Sequence, residues 1–392
     1  MATTVRVDVS REVLEWALDR SGKRPHLERQ LPMLRRWLDG EVKPTLRQLE
    51  ALAKRVHVPL GVLFLAHPPV EELSITNYRT YGDDLIGEPS RDLLDTVRMM
   101  ERRQAWLREY LMESGYEPKS FVGSASIFDD ATNIAASIRS VLGLPNDWAE
   151  RVRTWEEALR IILRSIEHAG IMVVRSGVVG NSTSRTLDVM EFRGFVLVDE
   201  YAPLIFLNGN DSKAAQMFTL AHELAHIWLG SSAVFDLAYL QPADSDMEQA
   251  CNRIAAEFLV PSDALESQLP RSLEHRDHDT VFQHLARRFK VSPLVIARRV
   301  LDMGLLSRRE YRVYYRHYLE RLRQLEESGR DDDSGPYFYE IQRFRVSRLF
   351  LTNVVAALKE GRLLYREAYS LTGLRGDTFA ALVARELGGL AP

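Results

Sequence analysis

An α+β fold, mostly helical with one small sheet, is predicted for this chain of 392 residues. Three observations predict it. Apolar residues recur at spacings of three and four over most of the length, the mark of amphipathic helices. The period shortens only in Ile171-Met172-Val173-Val174, Gly194 to Asp199 and Pro203 to Asn208, β-type runs bounded by Gly, Pro and Asn. Those runs lead directly into residues 213–230, a stretch rich in Ala and Leu with no Pro and no internal Gly, which reads as a buried helix. A small antiparallel sheet packed on that helix is the expected arrangement. An edge strand of it can hold an extended peptide through main-chain hydrogen bonds.

The composition is that of an ordinary globular chain, 45% hydrophobic and 27% charged, and the length suits two or three domains. One cysteine, Cys251, excludes a disulfide framework and a zinc site built on cysteines. With no evident signal peptide and no apolar run long enough to span a bilayer, a cytoplasmic protein without membrane contact is expected. The formal net charge of −4 gives no global signal for nucleic acid. Residues 1–70, however, hold twelve Lys and Arg against eight Asp and Glu, a local excess that suits an anionic partner.

Taken in order, residues 1–65 read as short helices. Ser10 is placed to cap a helix running to about Arg20, with Val13, Leu14, Ala17 and Leu18 on one face. Leu31, Leu34, Trp37 and Leu38 mark a second apolar segment, with Pro32 interrupting its approach, and Pro44-Thr45 opens another helix. The expected division is a helical module at 1–67, a Pro- and Gly-rich linker at 68–90, a domain at 91–270 with its core at 170–265, and a helical region at 271–392. A long amphipathic helix is expected from about Asp92 to Tyr110, and further helices at 129–142 and 152–168. Beyond the core, Val291-Ser292-Pro293 separates two helices. Tyr311, Tyr314, Tyr315 and Tyr318 form a stripe between arginines, expected to be core rather than a nucleic-acid stacking face.

The chemistry lies in His222-Glu223-Leu224-Ala225-His226. On a helix, His222 and His226 sit on one face, about 6 Å apart along the axis, and can offer two imidazoles to one metal ion. Glu223 projects about 100° away, where its carboxylate can serve a bound water. The metal implied is zinc, with one further protein ligand and Glu223 as general base and then acid. The alternative is a pair of satisfied core histidines. It leaves a carboxylate and two imidazoles buried in an apolar helix without partners, which is costly. Glu248 lies near the inner face of a helix ending at Pro261 and can supply the third ligand. It also sits at the third helical position after Ser245, where it would complete a capping box. Asn252, one turn on, can hydrogen-bond a zinc-bound histidine. Asp244, Asp246 and the pair His275 and His278 are weaker ligand candidates. Tyr201, Tyr239 and His278 are candidates for stabilising an oxyanion.

Arg36-Trp37-Leu38-Asp39-Gly40-Glu41-Val42-Lys43-Pro44-Thr45-Leu46 resembles the XRE-type helix-turn-helix. That resemblance implies DNA contact by the N-terminal module, with Arg35 and Arg36 on phosphates, although few polar side chains there suit base edges. Leu187 to Phe195, Ala202 to Asn208, Phe218 to His226 and Glu248 to Pro261 resemble the ImmA/IrrE family of zinc metallopeptidases. Ala225 stands where that family usually has Gly. The resemblance implies that Glu248, in a Glu-x-x-x-Asn segment, is the third zinc ligand. It implies a gluzincin-like metalloendopeptidase whose substrate is a partner repressor or stress regulator, in stress response or the control of mobile elements. The rival reading is a DNA-binding regulator or antitoxin whose zinc domain mainly holds a partner. A further option is a sensor whose C-terminal region binds a nucleic acid or small ligand.

Overall fold

The computed structural model describes residues 6–21, 24–69, 89–235, 245–270, 278–327 and 344–388. The chain divides into two compact units, Met1–Ser74 with Glu88–Asp95 and Ile75–Gly87 with Thr96–Pro392. Most of the expected linker at 68–90 lies outside the described residues.

The smaller unit holds α1 (Arg11–Arg20), α2 (Arg24–Gln30), α3 (Met33–Leu38) and α4 (Leu46–Val56), closed by a short 3-10 turn at Leu60–Phe64. Val13, Leu14, Leu34, Leu49 and Leu52 form its core. Ser10 stands at the start of α1 as expected, but its hydroxyl makes no capping hydrogen bond. Thr45 does cap α4, in a reciprocal box with Gln48. Pro32 stands in the break between α2 and α3, as expected from its place in the approach to the second apolar segment. It precedes the first turn of α3 with φ −57°, where a missing N–H costs nothing. Arg35 and Arg36 are exposed on α3, and Arg36 is paired with Glu41 at 3.0 Å.

In chain order, the larger unit continues with α5 (Arg91–Glu113, within which the division falls), α6 (Ala131–Val141), α7 (Trp155–His168), β1 (Met172–Ser176), β2 (Gly194–Leu197) and β3 (Leu204–Asn208). Next come α8 (Lys213–Leu229), β4 (Ala233–Phe235), α9 (Asp246–Leu259) and α10 (Ser262–Gln268). The described chain ends with α11 (His278–Phe289), α12 (Pro293–Asp302), α13 (Arg308–Glu327), α14 (Arg348–Lys359), α15 (Tyr365–Thr372) and α16 (Gly376–Leu387). Among the described residues, no helix is long and apolar enough to cross a membrane.

The sheet differs from the expectation in two ways. It has four strands in the order β1-β3-β2-β4, the last of them not foreseen. It is also mixed rather than antiparallel, because β1 pairs with β3 in parallel, Met172 opposite Leu204 and Ser176 opposite Asn208. Nearly every residue of β1, β2 and β3 is buried, so these runs carry no alternation from which pairing direction could be read. β2 is an inner strand, hydrogen-bonded to β3 and β4, both antiparallel. The edges are therefore β1 and β4.

α8 crosses the middle of the core. Ser212 accepts a hydrogen bond from Ala215 N at its start, and Gly230 ends it with φ 71°, a left-handed conformation that suits glycine. Every residue from Gln216 to Trp228 is buried. One continuous apolar cluster joins α6, α7, α8, α9, α11 and α12, and reaches Tyr311 and Tyr314 of α13. The tyrosine stripe thus packs inward, while Arg308, Arg309, Arg312 and Arg316 stay exposed.

Candidate active site

Ser245 caps α9 by accepting from Glu248 N at 3.3 Å. The Glu248 carboxylate does not turn back to complete the box. It reaches across to α8, where its oxygens lie 3.0 Å from His222 Nε2 and 3.4 Å from His226 Nε2. The two Nε2 atoms are 3.1 Å apart. His222 Nδ1 lies 3.1 Å from Asn252 Oδ1. The amide oxygen can only accept, so the ring proton sits on Nδ1 and the Nε2 lone pair faces His226 and Glu248.

His222, Glu223 and His226 are all fully buried. Among the described residues, neither oxygen of Glu223 nor His226 Nδ1 has a hydrogen-bond partner. Burial pushes the Glu223 carboxyl well above its ordinary range, and the charge of Glu248 adds to it. Burial also opposes ionisation of Glu248, but with the two rings protonated toward it, hydrogen bonds from His222 and His226 and their charges outweigh it and hold that carboxyl well below its usual range. The histidines are thus asked for two things. Glu248 calls for positive charge beside it, whereas burial drives His222 toward its neutral form, against the pull of Glu248. A divalent cation among the three donors meets both demands. It supplies the positive charge, leaves the imidazoles neutral, and separates lone pairs that would otherwise face each other. The donor set of two imidazoles and a carboxylate is one that zinc accepts. The same cation would favour the ionised form of Glu223.

Two participants were not recognised from the sequence. A single cysteine excludes a zinc site built on cysteines, and Cys251 does not stand out as a donor in the sequence. Yet its Sγ and the ring nitrogens of His222 and His226 lie within 4.8 Å of one another. The signal was present: Cys251 is three residues beyond Glu248 on the same helix and fully buried. Burial, then Glu248 and Glu223, push its thiol well above the usual range, so in the metal-free site it is protonated. The second is Gly194 at the start of β2. A Cβ there would stand 2.7 Å from Thr219 Cγ2, 2.8 Å from Phe206 O and 3.5 Å from Glu223 Oε1. The glycine lets the sheet approach α8 beside the catalytic candidate.

The remaining candidates lie elsewhere or are not described. Asp246 is exposed in the first turn of α9. Tyr201 follows β2, in a turn where its N–H bonds Asp199 Oδ1. His278 begins α11 and stacks on Phe282. Tyr239, Asp244 and His275 lie outside the described residues.

A comparison with curated proteins found no match. Residues 346–386 match a family described as a domain of unknown function, DUF8813. Residues 166–301 match the family described as IrrE N-terminal-like domain, Peptidase_M78. The second match covers β1 through α12, and with them His222, Glu223, His226, Glu248 and Asn252, so the segment that holds the site is similar to a family of metallopeptidases.

Proposed function

We propose that the chain is a zinc-dependent metalloendopeptidase that cleaves a partner regulatory protein, such as a transcriptional repressor, in stress response or the control of mobile elements. The observation that carries this reading is Glu223. A structural zinc site is closed by four protein ligands and has no use for a further buried carboxylate. A hydrolytic site needs one next to the metal.

In this reading His222, His226 and Glu248 hold the zinc, and Asn252 fixes the His222 ring through Nδ1. Zinc, when bound, would polarise the scissile carbonyl and lower the pKa of a water. Glu223 accepts the proton of the attacking water on its carboxylate and returns it to the leaving amine. The buried walls of α8 strengthen these charge interactions by keeping bulk water out. β4, the sheet edge on the side of β2, is where an extended substrate would add. The name of the matched family supports the peptidase class. The choice of a regulator as substrate rests on the ImmA/IrrE resemblance.

The second reading, a DNA-binding regulator, rests on the XRE-like resemblance and the basic balance of the N-terminal module, with Arg35 and Arg36 exposed on α3. One experiment separates the two readings. The chain is expressed with the product of its neighbouring gene, in resting and stressed cells, and the length of that product is followed by mass spectrometry. Glu223→Gln is expected to keep metal and fold while cleavage falls roughly a hundred- to ten-thousandfold. An intact partner with both proteins, in cells where both alter repression equally, would instead establish a binding protein.

A further inference from the structure

A second built feature lies in the larger unit, in an open surface cleft. Three elements bring arginines to it: Arg160 and Arg164 from α7, Arg175 from β1 and Arg348 from the first turn of α14. Arg160 and Arg164 are four residues apart and so share one helix face. Among the described residues, neither makes a side-chain hydrogen bond or ion pair. The pocket also holds two carboxylates, Glu167 and Glu386, leaving a formal excess of two positive charges.

One of those carboxylates is already engaged. Glu167 accepts from Ser347 Oγ at 2.5 Å, Arg348 N at 2.8 Å and Leu349 N at 3.4 Å, and so closes the start of α14. The guanidinium of Arg175 lies 4.1 Å from the ring centre of Phe344, another lining residue, and Nη1 donates to Gln216 Oε1 at 3.4 Å. The positive field extends to the start of α8. Burial lowers the Lys213 amine and the neighbouring Arg175 lowers it further, against the pull of Glu156. Like charges gathered at a concave surface attract an anion, and guanidiniums match phosphate oxygens in paired hydrogen bonds.

We propose that this pocket binds a phosphate-bearing small molecule, with Arg160, Arg164, Arg175 and Arg348 on its phosphate oxygens. Its lining includes Glu167, Val173 and Arg175 of the segment similar to the IrrE-like family and Arg348 and Glu386 of the segment matching DUF8813, while Arg160 and Arg164 precede both. Through Gln216 it touches the helix that carries His222. The site takes no part in the proposed peptide hydrolysis, so its test does not depend on that activity.

The test is calorimetric titration of the full chain at physiological salt, with sodium pyrophosphate in one series and ADP in another. Saturable binding of one molecule per chain is expected. It should weaken at least about tenfold in Arg160→Gln/Arg164→Gln, through loss of charge-assisted hydrogen bonds. Arg348→Gln, on a separate element, should weaken it too. The control Arg312→Gln/Arg316→Gln removes as much charge from α13 and should bind like the parent. Equal affinity for both probes identifies phosphate alone as the recognised group, and tighter ADP binding identifies a nucleotide. Failure of both probes to bind, or equal weakening in the control, overturns the proposal. Both α7 arginines are exposed, and circular dichroism verifies that their replacement leaves the fold intact.

Discussion

Glu248 and Cys251 compete for one role. The carboxylate lies 3.0 and 3.4 Å from the two Nε2 atoms, and the thiol lies with the ring nitrogens in a group whose atoms are within 4.8 Å of one another. Glu248→Gln is expected to weaken zinc binding at least about tenfold, since loss of a supporting residue alone costs that much. Helix content should hold, because the Ser245 cap to Glu248 N remains. Cys251→Ala should bind zinc like the parent, and the cobalt-substituted parent should show no thiolate charge-transfer absorption. Competition with a chromophoric chelator measures both affinities. A thiolate band, with Glu248→Gln unchanged, would move the third ligand to Cys251. From the sequence alone Glu248 stood between capping and ligation, because both roles need the same position on α9.

Among the elements, the C-terminal helices are held to the rest of the larger unit by a buried cation. Arg103 on α5 donates to Leu371 O at 2.9 Å, Arg345 O at 2.7 Å and Thr372 O at 3.3 Å. Burial pushes its guanidinium down to about 10, and the nearby Arg102 adds to this. Arg103→Ala would leave those carbonyls without a donor, at a cost of about 3 kcal/mol. Arg103→Lys should recover only part, since an ammonium lacks the planar fork that reaches several acceptors. Urea unfolding of the two variants measures this, and a parent-like midpoint for Arg103→Ala would remove the clamp from the account. No local pattern announces such a contact, because an arginine in an amphipathic helix reads as solvated. The helix itself was legible from Leu93, Leu94, Val97, Met100 and Leu107, all buried. β4 was not, being three residues long.

At the scale of the molecule, the site ties α8 to α9 within one core, so metal should stabilise the fold. Zinc at a hundred times its dissociation constant adds about 2.7 kcal/mol. In a chain of this size, that is a midpoint shift of roughly 3–4 °C, lost with chelator. The pH dependence has a definite sign. Ligation needs neutral imidazoles, and burial lowers the affinity of His222 for its proton. The metal contribution should therefore persist through neutral pH. It should fade as pH drops below the ordinary imidazole value of about 6.5. Scanning calorimetry with and without chelator, at a series of pH values, reads the difference. A chelator-insensitive midpoint at neutral pH would contradict a metal at this site.

The sequence by itself determined α8 and the pairing of His222 with His226, because a spacing of four on an uninterrupted helix is local geometry. It also placed the β-type runs and α9, through apolar patterning that needs no distant partner. Only the tertiary structure decided the parallel pairing of β1, the turn of Glu248 toward the histidines and the presence of Cys251 beside them. The approach of Gly194 to α8 and the arginine pocket belong to the same class. Each depends on which distant segments pack together. Burial then sets the energy: an unpartnered carboxylate costs little in water and much inside a core. That is why the same glutamates and arginines read as ordinary along the chain and as a site once it is folded.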